Sequence, residues 1–160
     1  MILVRSLLLA VLCAAPAAVA ELPDTQPGWV IERTEQGYAE LIKDVDEAVA
    51  ASPLSVVTRA SATVGAKSLG QDIPGNVVVG VFAPQFAIRL LEASLAAGIE
   101  APLRLYITEN PDGTATLSYK TAGHVLAPYA EEGGETLKTL AAELDAVLEQ
   151  IAEQATRQRN

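Results

Sequence analysis

The stretch from Asn76 to Leu91 constrains the fold of this chain more than any other. Its first half is a short, uncharged segment rich in β-branched residues, Val77 to Phe82, as is typical of a buried strand. Proline follows at position 84, and proline is favoured as the first residue of a helix because its φ is already helical. The stretch therefore predicts a central strand that runs straight into a helix.

The residues before this stretch predict two strands and a helix. Trp29 to Arg33 and Leu54 to Thr58 are short segments of strand-forming residues. Between them, apolar residues recur every three or four positions, which places one apolar stripe on a helix from about Gly37 to Ala51. A short helix or an irregular crossing segment is expected from Ala62 to Gly70.

The residues after it predict a helix and a hairpin. The helix that begins at Pro84 is expected to run to about Ala97, because Gly98 suits the left-handed residue that ends many helices. Leu103 to Tyr119 alternates apolar and polar residues on both sides of Asn110-Pro111-Asp112-Gly113. This pattern predicts a β-hairpin closed by a type I turn.

Gly123 to Gly134 is expected to be a loop, and a last helix follows with its apolar residues, Leu137 to Ile151, on one face. The order of elements is β-α-β-β-α-β-β-α. It predicts an α+β fold, a two-layer sandwich in which helices cover one face of a mainly antiparallel sheet of about five strands. We expect a single domain over residues 28–156, with a frayed tail at 157–160.

The first twenty residues have the order of a secretory signal peptide. Arg5 provides a positive start, Ser6 to Ala15 is apolar, and Ala18-Val19-Ala20 is a small-residue cleavage site. Cleavage is therefore predicted after Ala20, with residues 21–27 as a linker. The mature protein is expected to be periplasmic or secreted.

Two alternatives to cleavage after residue 20 stay open. An uncleaved membrane anchor is one, although the apolar run is shorter than the ~20 residues that span a bilayer. A lipid anchor on Cys13 is the other, although Leu12 is bulky for such a site. Because Cys13 is the only cysteine and lies in the predicted signal peptide, no disulfide is expected in the mature protein.

The charge of the chain limits the classes of partner that it can bind. The formal net charge is −9, and removal of the signal peptide takes away one cation, which leaves −10. Nucleic-acid binding needs clustered Lys and Arg to contact phosphates, and no such cluster is present. We expect an acidic domain with no nucleic-acid partner and no membrane span after processing.

His124 is the only histidine and the first candidate for chemistry. A role as acid, base or ligand would need partners, and the nearest polar candidates along the chain are Tyr119, Lys120 and Tyr129. The alternative is an exposed or locally hydrogen-bonded loop histidine. With one histidine and no cysteine in the mature chain, a structural zinc site is not expected.

The sequence contains few other residue patterns that indicate metal binding or catalysis. Glu131, Glu132 and Glu135 precede the last helix, where carboxylates interact favourably with a helix N-terminus, and they lack the alternating pattern of a calcium loop. Signatures of activated nucleophiles and of phosphate-binding glycine loops are also missing. We predict no metal, no cofactor and no catalytic residue.

One site is suggested by the start of the helix at Pro84. The two residues before it are Phe82 and Ala83, which cannot cap the helix with a side chain, so the N–H groups of Gln85, Phe86 and Ala87 are expected to need another partner. An anionic or carbonyl-bearing ligand would suit such an end, and solvent or the loop around His124 are the alternatives. Gln85, Phe86 and His124 are therefore the candidate ligand-binding residues.

The chain resembles a bacterial family, domain of unknown function 302 (DUF302), in the order of several segments. They are Gly65-Ala66-Lys67-Ser68-Leu69-Gly70, the valine-rich strand that ends before Pro84, and Ala101-Pro102-Leu103 at the start of the hairpin. The resemblance covers Trp29 to Gln154. It implies a small exported or cytosolic protein with a two-layer α/β fold, and it brings no established activity.

The chain departs from this family at two places. It has Phe82-Ala83-Pro84 where many relatives have Gly-Asn-Pro, and Ser61-Ala62 where exported relatives often have Asp-His. No site is therefore transferred from the family. The thin inventory of catalytic groups favours a non-enzymatic module that binds a small ligand or another protein, and the alternative is an enzyme without a recognisable motif. A homodimer is compatible with both.

Overall fold

The computed structural model describes residues 22–157, in which the five strands and the three main helices follow the predicted order, and two shorter α-helices are added to them. The strands are β1 Trp29–Gly37, β2 Ser55–Ala60, β3 Asn76–Phe82, β4 Leu103–Glu109 and β5 Thr114–Lys120. The helices are α1 Tyr38–Ala50, α2 Ala62–Ser68, α3 Pro84–Ala93, α4 Ala122–Leu126 and α5 Ala130–Thr156. Two short 3-10 helices lie at Ala96–Glu100 and Ala127–Tyr129.

The five strands form one antiparallel sheet in the order β1-β5-β4-β3-β2. The strands from β2 to β5 pair with their neighbours in sequence, and β1 returns to pair with β5 at the far edge. Helices α1, α3 and α5 pack together, and α1 and α5 contact the sheet on one side. The predicted two-layer α+β sandwich is confirmed.

The core lies between the sheet and the long helices. The α1 stripe puts Leu41 and Val45 at 0% exposure, because residues three and four apart lie on one face of a helix. Val79 in the central strand is equally buried. The same layer contains Leu105, Ile107 and Leu117 of the sheet and Leu137, Leu140, Leu148 and Ile151 of α5.

The hairpin between β4 and β5 turns as predicted. The N–H of Gly113 donates to the carbonyl of Asn110 at 3.0 Å, and the N–H of Asn110 donates to the carbonyl of Thr114 at 2.8 Å. Gly113 has φ +86°, a conformation that glycine adopts without steric cost. The turn fixes the register of β4 against β5, on which the candidate site depends.

The predicted end of the helix that follows Pro84 is wrong. Helix α3 stops at Ala93, because Ser94 is extended at φ −155° and ψ 117°. The hydroxyl of Ser94 accepts the N–H of Ala97 at 3.2 Å and donates to Glu132 Oε2 at 2.7 Å. Gly98 lies in a 3-10 helix and is not among the glycines with positive φ.

The loop predicted over Gly123 to Gly134 is mostly helical. Thr121 Oγ1 accepts the N–H of His124 at 3.2 Å, and Asp145 of α5 accepts the N–H groups of Ala122 and Gly123, so the start of α4 is capped from two sides. Within this segment, Gly134 has a non-helical backbone with φ +55°, and α5 kinks there, near its start.

The predicted signal peptide, its cleavage site and Cys13 lie outside the described residues. Just after them, the guanidinium of Arg33 donates to the carbonyl of Leu22 and to Asp24 Oδ1, each at 3.0 Å, and so links this segment to β1. No helix within residues 22–157 has both the length and the apolar character needed to cross a membrane.

Candidate ligand-binding site on the open face of the sheet

The sheet face opposite α1 and α5 carries the candidate site, and we call it the open face. Successive side chains of a strand point to opposite faces, so the residues between the buried ones lie there. Val77, Val79 and Val81 of β3 belong to the buried core, which leaves Asn76, Val78 and Gly80 on the open face. The other strands contribute Trp29, Ile31, Arg104, Tyr106, Ser118 and Lys120 to it.

Strand register aligns these side chains in two rows across the sheet. Trp29 pairs with Lys120, and Gly80 pairs with Arg104. Leu105 of β4 pairs with Tyr119 of β5. Because the two strands are antiparallel, Arg104, one residue before Leu105, lies opposite Lys120, one residue after Tyr119. The first row is thus Trp29, Lys120, Arg104 and Gly80, and the second is Ile31, Ser118, Tyr106 and Val78.

A cavity of about 730 Å³ lies over these rows. Its polar wall includes Arg104, Lys120 and Tyr106, and its apolar wall includes Val78 and Leu103. The remaining lining is Trp29, Ala60, Ser61, Ala62, Asn76, Glu100, Ser118, Tyr119 and Val125. A mixed lining with a few convergent polar groups is typical of small-ligand pockets.

The two cations of the first row have no acidic partner. Six other cations of the described chain each form a salt bridge within 4.0 Å: Arg33, Lys43, Arg59, Arg89, Lys138 and Arg157. Within residues 22–157, Lys67, Arg104 and Lys120 form none. The ammonium of Lys120 lies 5.7 Å from the centroid of the Trp29 ring, at cation–π distance.

The acid at the rim of the cavity is already engaged. Glu100 Oε1 accepts a hydrogen bond from the hydroxyl of Tyr129 at 2.9 Å. This bond raises the pKa of Tyr129 above its ordinary value, because it stabilises the protonated phenol. Glu100 is therefore hydrogen-bonded to Tyr129 and forms no salt bridge with Arg104.

Asn76 fixes the opposite end of the cavity through five hydrogen bonds, one of which runs from its Nδ2 to the carbonyl of Pro74 at 3.1 Å. Its carbonyl accepts from Ser61 Oγ at 2.6 Å, and its Oδ1 accepts from the N–H of Ala62 at 3.0 Å. Its own N–H and its Nδ2 both donate to Thr63 Oγ1, at 2.9 and 3.0 Å. These bonds hold the start of α2 against the first residue of β3.

The three candidate residues from the sequence lie away from this cavity. Gln85 Nε2 donates to the carbonyl of Pro53 at 3.4 Å, next to the edge strand β2, whereas His124 packs against Gly28, next to the edge strand β1. Strands are ~4.8 Å apart, so the two edges of a five-stranded sheet are separated by roughly 19 Å. Gln85 and His124 thus contact segments next to opposite edges of the sheet, although Phe86 of α3 and Leu126 of α4 line one small apolar cleft.

Phe86 belongs to the core side of the molecule. It packs against the buried cluster and lines a small apolar cleft of about 30 Å³. The N–H groups of Phe86 and Ala87 both donate to the carbonyl of Ala83, at 3.2 and 3.1 Å. The expectation that these two donors need an outside partner is therefore wrong.

Sequence reasoning missed Arg104 and Tyr106, and it considered Lys120 only as a partner of His124. The signal was present, because a hairpin around Asn110 to Gly113 fixes which residues of β4 and β5 lie opposite each other. Extending that register away from the turn would have placed two cations side by side on the polar face of the hairpin.

Comparison with known proteins gives a family and a fold. The model of a family described as "Domain of unknown function DUF302" matches residues 30–155. The crystal structure of an uncharacterised conserved DUF302 protein from Bacillus stearothermophilus is similar, with a TM-score of 0.72 and 21% identity, and covers 82% of this chain and 100% of that one. None of the curated proteins matches.

Proposed function

The chain belongs to the DUF302 family, whose description names no activity, and we propose that it is a non-enzymatic module that binds a small amphipathic anion on the open face. The ligand class is a carboxylate, or another oxyanion, attached to an apolar body. Its charged group lies between Arg104 and Lys120, and its apolar body lies along Trp29 and Val78.

The observation that carries this proposal is the pair of opposed cations. Like charges directly opposite each other on neighbouring strands destabilise a sheet. Arg104 and Lys120 stand in that relation with no carboxylate of the described chain within 4.0 Å, although the whole chain has a net charge of −9. A bound anion removes the repulsion, and a guanidinium offers paired donors that match a carboxylate.

The apolar lining favours an amphipathic ligand over a bare inorganic anion. Trp29, Val78 and Val125 line the cavity beside the cationic pair, and each is only partly buried. Covering apolar surface stabilises a complex by roughly 25 cal/mol per Å². A ligand with an alkyl or aromatic body would gain from this surface, whereas phosphate or sulfate would use only the charges.

An enzymatic role is the alternative. The open face offers Ser118, two residues from Lys120 and opposite Tyr106, as a hydroxyl nucleophile. Ser118 is fully buried at 0% exposure, and its hydroxyl lies 3.5 Å from the carbonyl of Tyr106. A nucleophile must reach its substrate, so this burial weighs in favour of binding.

Trp29 makes the binding proposal directly testable. It is the only tryptophan of the chain and contacts the cavity, so its fluorescence reports on the first row alone. We expect octanoate to produce a saturable change and octan-1-ol a much weaker one. Arg104→Gln should weaken octanoate binding about tenfold or more, the scale of one lost charge-assisted hydrogen bond.

The matched control is Lys43→Gln, which removes an exposed cation from α1, on the helix layer. It should leave the octanoate response unchanged. An identical response from Arg104→Gln and Lys43→Gln, or an equal response to octanoate and octan-1-ol, would contradict the proposal.

Export is part of the same proposal. The support for it is the order of a positive residue, an apolar run and Ala18-Val19-Ala20 at the start of the chain. Mass spectrometry of the periplasmic or secreted protein should find a mature N-terminus at Glu21. A protein that keeps its first twenty residues, or that carries lipid on Cys13, would contradict it.

A further inference from the structure

A second cleft, of about 370 Å³, lies on the helix side of the sheet. One wall is α5, which contributes Asp145, Glu149 and Glu153, and the other includes Glu32 of β1 and Tyr119 of β5. Tyr119 belongs to the buried core beneath the helices, whereas its neighbours Ser118 and Lys120 lie on the open face. The cleft and the anion site therefore lie on opposite sides of the sheet.

The side chain of Tyr119 is largely buried and lines this cleft. Only 4% of the residue is exposed, and its hydroxyl, which is not among the fully buried atoms that lack a partner, opens into the cleft without a hydrogen bond to any residue from 22 to 157. Burial is the main cause that raises the pKa of Tyr119 to about 12, and the nearby charges of Glu149, Glu32, Asp145 and Glu153 raise it further. A neutral phenol therefore stands among four carboxylates.

The carboxylates of the cleft are only partly neutralised. Asp145 accepts the N–H groups of Ala122 and Gly123, and Glu153 pairs with Arg157 at 3.6 Å on the surface. Within the described part of the chain, Glu32 and Glu149 have no cation within 4.0 Å. The cleft therefore keeps a strong negative charge.

We propose that this cleft binds a linear organic polyamine. Asp145, Glu149 and Glu153 follow each other at intervals of four residues, so they project from the same side of α5 at steps of about 6 Å. Successive ammonium groups along a flexible aliphatic chain match such a row. Glu32 closes the site from the other wall, and the Tyr119 hydroxyl accepts a hydrogen bond from one ammonium.

An extended cation fits better than a metal ion because the carboxylates are spread along the cleft. A divalent ion needs several ligands that converge on one point. In residues 22–157, no three His, Cys, Asp or Glu side chains lie close enough together to hold a metal ion. A row of separated charges instead suits a ligand whose own charges are separated.

Isothermal titration of the whole protein with spermidine tests this inference. We expect one saturable site per chain, and Glu149→Gln should weaken it about tenfold, the equivalent of one lost charged hydrogen bond. Glu92→Gln removes an exposed carboxylate of α3 that does not line the cleft, and it should leave the affinity unchanged. In NMR spectra, the amides of Gly123 and Glu149 should shift with spermidine and not with octanoate.

Three results would overturn it. The first is a spermidine effect that sodium chloride reproduces at the same ionic strength, because this would be charge screening alone. The second is equal weakening by Glu149→Gln and Glu92→Gln. The third is tighter binding of magnesium than of spermidine. None of these results bears on the anion site, since that site uses cations on the opposite side of the sheet.

Discussion

Gly28 and His124 occupy adjacent space where the chain enters β1. A Cβ atom placed on Gly28 would lie 2.1 Å from Cγ of the His124 ring, and Gly28 has φ +74°. The carbonyl of Gly28 also accepts the N–H of Thr121 at 2.9 Å, which ties β1 to the start of α4. His124 therefore has a packing role at the edge of the sheet.

This contact predicts that Gly28→Ala destabilises the protein by about 2 to 3 kcal/mol, because it adds a steric clash to the strain of a positive φ. Urea denaturation measures the change. Gly113→Ala is the matched control, since Gly113 has φ +86° with nothing within 4 Å of the added Cβ. The loss of unfolding free energy at Gly28 should exceed the loss at Gly113. Adding His124→Ala to Gly28→Ala should restore only the difference between the two losses. Equal losses at the two glycines would show that the contact with His124 is unimportant.

Val79→Asp should unfold the domain. Val79 is at 0% exposure in the central strand, and an unpaired buried carboxylate costs several kcal/mol, which is comparable with the stability of a small domain. Circular dichroism with a thermal ramp measures it. Val57→Asp is the control, because Val57 is 50% exposed on the edge strand β2 and should tolerate the charge. Cooperative melting of Val79→Asp near the wild-type temperature would contradict the architecture.

Tyr119 predicts a loss of stability in strong base. The ordinary tyrosine pKa is 10.0, and the folded protein raises the pKa of Tyr119 to about 12. Between these values the unfolded chain releases the proton and the folded chain keeps it, so the free energy of unfolding falls as the pH rises from 10 to 12. The fall is roughly 3 kcal/mol, at 1.36 kcal/mol per pKa unit.

Urea denaturation of the wild type and of Tyr119→Phe across this pH range tests the prediction. Lysines also titrate there, so the informative quantity is the difference between the two proteins. The wild type should lose more stability than Tyr119→Phe. Parallel losses would show that the folded protein does not perturb Tyr119.

Asn76→Ala should loosen α2 while the sheet stays folded. The change removes the oxygen that accepts the N–H of Ala62 and the Nδ2 that donates to Thr63 Oγ1 and to the carbonyl of Pro74. Helix α2 buries only Ala66. A helix with so little buried apolar surface depends on its polar contacts. Limited trypsin digestion should cleave faster after Lys67 in this variant. Asn110→Ala, at the hairpin turn, should leave that cleavage rate unchanged, and equal rates in the two variants would contradict the role of Asn76.

The fold was largely predictable because the apolar patterns are strong and local. The stripe on α1, the valine run of β3 and the alternation around Asn110 to Gly113 each specify one element, and short connections leave few ways to join them. The errors arose where distant residues decide the structure. Ser94 ends α3 through its contact with Glu132, and Asp145 caps α4 from α5, and neither contact is visible in a local pattern.

The candidate site was not predictable from motifs because no segment contains it. Trp29, Arg104 and Lys120 come from three strands and become neighbours only through the register of the sheet. The helix start at Pro84 was predicted as a ligand site because the side chains of the two residues before it cannot cap the helix. The backbone of Ala83 supplies the partner instead, which side-chain types do not reveal.

The strand order β1-β5-β4-β3-β2 also predicts the order in which the protein folds. Strands β2 to β5 pair with sequence neighbours, so they close short loops, whereas Trp29 must find Lys120 across most of the chain. Loop-closure entropy grows with loop length, and distant contacts slow folding. We therefore expect strands β2 to β5 to assemble first and β1 to dock last. Trp29 enters the structure with β1, so its fluorescence marks the completion of folding, and the anion site becomes complete only at that final step.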